Sequence, residues 1–263
     1  FSHLVTFICF YLLRIRRDLV LRNLDIVYHD KKSSKQKNNI AYFSYYNFFL
    51  TCFEFLAQRD GKLGSEVEIV NRHFVDQALQ QKRGVYILCV HMSSWEVMGG
   101  AFTRLFGPSH IVVKSVGPRG IDDFVTDLRK KNGFYSLRRG RKGEVLDKIK
   151  EKLSKNEIIG FVIDQKRPKS PKLHFFNRLA KTNTTLAYLW SRNKAPVVPA
   201  FITRDGRGKY KIEVLPPVEL VVSNNKEEDI LEHSRLFNKA AEKMILSCPE
   251  QYFWLHNRWG LKN

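Results

Sequence analysis

The sequence predicts an α/β domain: a mixed, mostly parallel sheet flanked by helices. The run Val85 to Val90 (VYILCV) is short, unbroken and apolar, the pattern of a strand covered on both faces. A second such run, Ile158 to Ile163 (IIGFVI), ends in Asp164-Gln165. Around both, stretches of helical and strand-like spacing alternate, as expected when strands are joined through helical crossovers.

The elements follow in order. Phe1 to Leu13 (FSHLVTFICFYLL) is apolar and is followed by Arg14, Arg16 and Arg17. It is shorter than the roughly 20 residues that span a bilayer. It reads as a buried helix or, preferably, as the end of a membrane helix that starts before Phe1, with the arginines on the cytoplasmic side. Asp18 to Tyr28 is amphipathic, and His29 to Asn39 is a polar loop. Ile40 to Leu56 is aromatic on more than one helical face. A helix of that kind is buried or touches lipid, so it is a core helix or the wall of an acyl-chain groove. His110 to Val113 reads as a strand, Ile121 to Asn132 as a helix closed by Gly133, and Leu146, Ile149 and Leu153 mark another helix. Thr184 to Arg192 is helical. Val197 to Phe201 and Tyr210 to Val214 form a hairpin across Asp205 to Gly208. Ile230, Phe237, Ala241, Met244 and Ile245 set a long C-terminal helix that stops before Pro249. The expected division is a helical, membrane-proximal segment, 1–60, and an α/β core, 61–263.

Composition narrows the partners. The chain has 263 residues and a formal charge of +19, from 45 Lys+Arg against 26 Asp+Glu. Such an excess calls for an acidic partner: nucleic acid, an anionic membrane surface, an acidic protein or a phosphorylated substrate. The basic clusters Arg138, Arg139, Arg141, Lys142 and Lys166, Arg167, Lys169, Lys172 are the expected contact points. Cys9, Cys52, Cys89 and Cys248 lie far apart with no CxxC or Cys/His grouping. Neither a disulfide framework nor a metal site is indicated, and a reducing compartment follows.

The chemistry is expected where the first strand ends. His91 follows Val90 directly, and Glu96 lies five residues on, at the start of a helical pattern. In open α/β sheets, reactive groups gather beyond the carboxyl ends of strands. A carboxylate on one imidazole nitrogen fixes the tautomer, leaving the other nitrogen to accept a proton. Residues five apart lie about 140° around a helix, so the pair meets only with His91 in the turn and Glu96 in the first helical turn. Ser93 or Ser94 is placed to cap that helix. Asp164-Gln165, at the second strand's end, faces the same crevice.

These pieces resemble the late acyltransferases of lipid A biosynthesis, the lauroyl/myristoyl type within the lysophospholipid acyltransferase superfamily. The matching segments, in the family's order, are HMSSWE (His91 to Glu96), the helix ending Asp127-Leu128-Arg129, FVIDQ (Phe161 to Gln165), HFFNRLAKTN (His174 to Asn183) and PEQYFWLHNRW (Pro249 to Trp259). The resemblance implies a glycerolipid-acyltransferase-like fold. It also implies transfer of a fatty acyl group from an acyl carrier protein thioester to a hydroxyl of a phosphorylated glycolipid, the lipid A precursor, at the cytoplasmic face of a bacterial inner membrane.

On this resemblance His91 is the general base and Glu96 its partner, with no metal, cofactor or covalent enzyme intermediate. Arg129 binds an acceptor phosphate or the oxyanion. Arg138, Asp164, Gln165, Thr182, Arg192 and Arg258 are the remaining substrate-binding candidates, Arg258 and His256 within a block that closes the core. Four positions depart from the family pattern: Asn177 replaces a loop glycine, Asn257 an arginine and Gly260 a lysine of the C-terminal ending, and Lys114 an arginine. They leave open a glycerophospholipid or another glycolipid as acceptor. The rival from another class is a non-enzymatic basic protein that binds RNA or membrane. Its aromatics would alternate with Lys/Arg on strands; here they gather in apolar helical stretches, so no nucleic-acid partner is expected. A thioesterase using water at the same site differs only in acceptor.

Overall fold

The computed structural model describes residues 1–57, 66–113, 117–138, 143–205 and 209–261. Lys114, Arg139, Arg141, Lys142 and the turn residues 206–208 lie outside the described residues.

Seven strands form one sheet: β1 (Val67–Val70), β2 (Val85–Cys89), β3 (Ser109–Val113), β4 (Phe134–Arg138), β5 (Ile158–Val162), β8 (Val197–Arg204) and β9 (Tyr210–Val214). Their spatial order is β1-β9-β8-β2-β5-β3-β4. Every neighbouring pair is parallel except β8 with β9, the expected hairpin. A small antiparallel ribbon, β6 (Lys172–Phe175) and β7 (Arg178–Lys181), stands apart.

The unbroken apolar character of β2 follows from its central place. Tyr86 and Leu88 enter one core, with the helices α2 (Arg17–Tyr28), α3 (Ser34–Ala57), α7 (Glu144–Ser154), α8 (Thr185–Asn193) and α9 (Lys226–Ser247). Val85, Ile87 and Cys89 enter the other, with α4 (His73–Gln80) and α5 (Trp95–Phe106). Each such fully buried side chain contributes about 1.5–3 kcal/mol, so a polar residue on either face of β2 is costly. The helix expected at 121–132 is α6 (Arg119–Lys131).

The N-terminal segment packs onto this body. α1 (Ser2–Phe7) runs into a π-helical turn, Ile8–Leu12. Phe10, Leu24 and Tyr45 share a core with Met244 and Trp254. No described helix is long and apolar enough to cross a membrane. Phe1, Leu4, Leu12 and Leu13 nevertheless stand exposed beside Arg14 and Arg16.

Two local features escape the sequence reading. Phe176 and Asn177 both take positive φ, 49° and 59°, and form the two-residue turn that joins β6 to β7 through the pair Phe175–Arg178. Two consecutive left-handed residues suit the twist of a tight hairpin, and asparagine tolerates that region better than most residues. Ser94 does precede α5, but its hydroxyl makes no cap bond. It donates instead to Glu54 at 2.6 Å, and Glu54 is ion-paired with the buried Arg204.

Candidate active site

Strand register builds the site. β2 and β5 are parallel neighbours in which Cys89 stands opposite Val162. Two residues beyond those ends, His91 and Asp164 therefore fall side by side. One Asp164 oxygen accepts the His91 main-chain N–H at 3.0 Å, and the other lies 2.7 Å from Nδ1. Asp164 is 2 % exposed. Burial alone raises a carboxyl pKa, but the His91 charge and its two hydrogen bonds reverse this, and Asp164 is held below its ordinary value. An ionised acceptor requires the proton on Nδ1, which leaves Nε2 as the free base. Burial also opposes the imidazolium, yet the charge and hydrogen bond of Asp164 outweigh it and raise the His91 pKa above 6.5.

The expected His91–Glu96 pair is corrected by this geometry. His91 does sit in the turn and Glu96 in the first turn of α5, but Glu96 is claimed from the other side. The Arg129 guanidinium grips it with Nε at 2.9 Å and Nη2 at 2.5 Å, and the third nitrogen, Nη1, donates to Ser136 at 3.2 Å. Both partners are buried. A forked guanidinium meets a carboxylate in two parallel bonds, Trp95 Nε1 donates to the same carboxylate at 3.2 Å, and the imidazole Nδ1 pairs with Asp164 instead. Glu96 acts on His91 only through space, helping to raise its pKa.

The C-terminal block closes the far side. Met92 bridges to Tyr252, and the Phe253 N–H donates to the His91 carbonyl at 3.0 Å. The Tyr252 hydroxyl lies against Asp164, and burial pushes its pKa well up. His256 accepts the Lys166 main-chain N–H on Nε2 at 2.9 Å. Burial lowers its pKa to about 4, more than Asp164 restores, so this second imidazole is neutral.

His91 opens into a cavity of about 860 Å³, within the range of small-molecule sites. Ile87, Cys89, Ile111, Gly160 and Val162 supply its sheet wall, Met98 and Phe102 of α5 a second, and Phe48, Cys52 and Phe55 of α3 a third. The aromatic helix is thus both core and groove wall: Ile40, Ala41 and Tyr45 are buried in the core, and one stripe lines the cavity. Glu96, Arg129, Gln165, Lys166, Arg167 and Asn183 also line it. The Gln165 amide nitrogen stands 3.4 Å from His91 Nε2.

Of the expected binding residues, Gln165 and Arg129 therefore reach the cavity. Asp164 lies behind the imidazole and serves His91 rather than a ligand. Arg258 is 2 % exposed; it donates to the Lys181 carbonyl at 2.6 Å and to Thr182 at 3.0 Å, which occupies both residues in tying β7 to the C-terminal block. Arg192 stacks over Tyr188, away from the cavity. Arg138 faces a second hollow and is held by Asp122, Asp123 and Thr126. Sequence spacing gave no sign of Tyr252 at the site, because only the fold brings it beside Asp164.

Comparison with known proteins identifies the family. The chain is 26% identical over 211 residues to the lipid A biosynthesis lauroyltransferase of Escherichia coli K12, covering 76% of this chain and 64% of that protein. It is 25% identical over 187 residues to the palmitoleoyltransferase of the same strain, covering 70% and 58%. It is 21% identical over 218 residues to the phosphatidylinositol mannoside acyltransferase of Mycolicibacterium smegmatis, covering 82% and 70%. The aligned part thus spans less than two thirds of the two Escherichia coli proteins. The family described as bacterial lipid A biosynthesis acyltransferase matches residues 1–260, and the chain belongs to that family.

Proposed function

We propose that the protein moves a fatty acyl group from an acyl carrier protein thioester to a hydroxyl of a lipid A precursor, with His91 as general base and Asp164 as its partner. The observation that carries the reading is the His91 imidazole, fixed by Asp164 through Nδ1, at the wall of a largely apolar cavity. Nε2 takes the acceptor's hydroxyl proton as the oxygen attacks the thioester carbonyl. The tetrahedral intermediate then collapses, the C–S bond breaks, and the leaving thiolate takes the proton back from the imidazolium. The Gln165 amide is a donor placed for the oxyanion. Asp164 stays ionised and stabilises the transient positive charge.

Glu96 and Arg129 hold each other and set the start of α5 against α6, shaping the cavity beside His91. The exposed apolar side chains at 1–13 and the neighbouring arginines support work at the cytoplasmic face of an inner membrane, where each basic residue adds about 1 kcal/mol of attraction to anionic lipid. A different glycolipid acceptor is the second reading, favoured by the similarity to the phosphatidylinositol mannoside acyltransferase.

The test is direct. Purified protein is given long-chain acyl carrier protein and a phosphorylated glucosamine lipid, and product is followed by mass spectrometry. Acylated lipid is expected from the parent and not from His91→Ala. Equal product from both removes His91 from the chemistry. Product only with a phosphatidylinositol mannoside selects the second reading.

A further inference from the structure

We propose that Lys166 and Arg167 form a phosphate-binding pair at the cavity that holds His91. Both residues line that cavity. Other guanidinium groups around the site are already engaged: Arg129 is paired with Glu96 and Arg204 with Glu54, and Arg258 is occupied by the Lys181 carbonyl and Thr182. Arg167 differs. Its Nη1 donates to Asn183 Oδ1 at 2.9 Å and to Thr185 Oγ1 at 2.5 Å, and both acceptors are neutral. They orient the guanidinium without cancelling its charge, and they leave Nη2 and Nε for a ligand.

Lys166 is fixed through its main chain by His256, itself held neutral by burial. Among the described residues no carboxylate pairs with its ammonium. The side chain lies along the bare backbone of Gly260, where a Cβ would stand 3.5 Å from Nζ. A mostly apolar cavity rimmed by an oriented fork and a compact ammonium, both uncompensated, is built for an anion with several acceptor oxygens. A phosphate monoester or diester fits that description.

The source of the phosphate rests on the acyl-transfer reading: it belongs either to the acceptor's sugar phosphate or to the phosphopantetheine arm of the donor. Binding tests the pair without that reading. Decyl phosphate and decyl maltoside, both below their micelle concentrations, are titrated against the intrinsic tryptophan fluorescence, to which Trp95 at the cavity contributes. Lys166→Gln and Arg167→Gln are each expected to weaken decyl phosphate binding about tenfold, the loss of one charge-assisted contact. Decyl maltoside binding should stay within about twofold, and Arg167→Lys should recover part of the loss. Variants that bind decyl phosphate like the parent, or lose both ligands equally, overturn the proposal.

Turnover then separates the sources. A KM raised in Lys166→Gln for the phosphorylated acceptor, but not for its dephosphorylated form, assigns the acceptor. A KM raised for acyl carrier protein thioester, but not for acyl N-acetylcysteamine, assigns the donor. A parent that makes no acyl product removes the acyl-transfer reading, and the decyl phosphate titration still decides the pair.

Discussion

Asp164 holds His91 at two points, its main-chain N–H and its Nδ1, so one buried carboxylate sets both the position and the tautomer of the imidazole. Asp164→Asn keeps the shape but gives up the charge and can reverse the tautomer. Acyl transfer is expected to fall by about 10²–10⁴ in kcat, with a small change in KM. An Asp164→Asn enzyme as fast as the parent would remove the dyad from the mechanism.

The same pair fixes the pH dependence. A general base must be neutral, and the His91 pKa lies above 6.5 because Asp164 overcomes the effect of burial. The acid limb of kcat/KM should therefore have its midpoint above pH 6.5. Asp164→Asn should move that midpoint down, since only the more weakly acting Glu96 charge then opposes desolvation. A profile unmoved by the substitution contradicts this.

Arg129 and Glu96 form a buried pair whose loss strands a charge. Arg129→Met leaves Glu96 unpaired and should cost about 3–5 kcal/mol of stability. Arg129→Met combined with Glu96→Gln should recover a large part of it. Chemical denaturation of the parent, the two single variants and the double variant gives the coupling. Simple additivity of the single losses would show that the two side chains do not depend on each other.

Gly160 lies on the cavity's sheet wall, and a Cβ there would stand 3.1 Å from Ile111 Cδ1. Gly160→Val fills part of the cavity. If a fatty chain lies there, each methylene that no longer fits costs about 0.8 kcal/mol, or roughly fourfold in kcat/KM. The optimum among acyl donors should move to shorter chains, as read by competition between donors of different length. An unchanged optimum means that the chain runs elsewhere.

His256 is neutral in the folded protein, with a pKa of about 4 against 6.5 when unfolded. The unfolded chain therefore binds a proton first as pH falls. Its contribution to stability is complete above pH 6.5 and is lost between there and about pH 4. The drop in Tm across that window should be smaller in His256→Asn than in the parent. Parallel Tm curves would exclude His256 as a cause of acid sensitivity.

Much of this was legible in the residues. The runs that became β2 and β5 stand out because strands buried on both faces have no polar side, and His91 was readable as the residue one of them delivers. Its partner was not. Glu96 is near in sequence, whereas Asp164 becomes a neighbour only once β2 and β5 lie side by side, and strand order is a property of the whole sheet. β4 alternates with polar Tyr135-Ser136 and sits at the sheet edge, and the Phe176-Asn177 turn lacks the glycine that marks such hairpins. Arg129 was readable as a functional cation, but its fork closes on Glu96.

The bridge from Met92 to Tyr252 and the bond from Phe253 to the His91 carbonyl also bear on biosynthesis. A nascent chain on the ribosome that has not yet released residues 249–258 lacks Tyr252 behind Asp164 and the Phe253 side of the cavity. The reactive centre is thus complete only once residues 249–258 have left the ribosome and packed against the ends of β2 and β5.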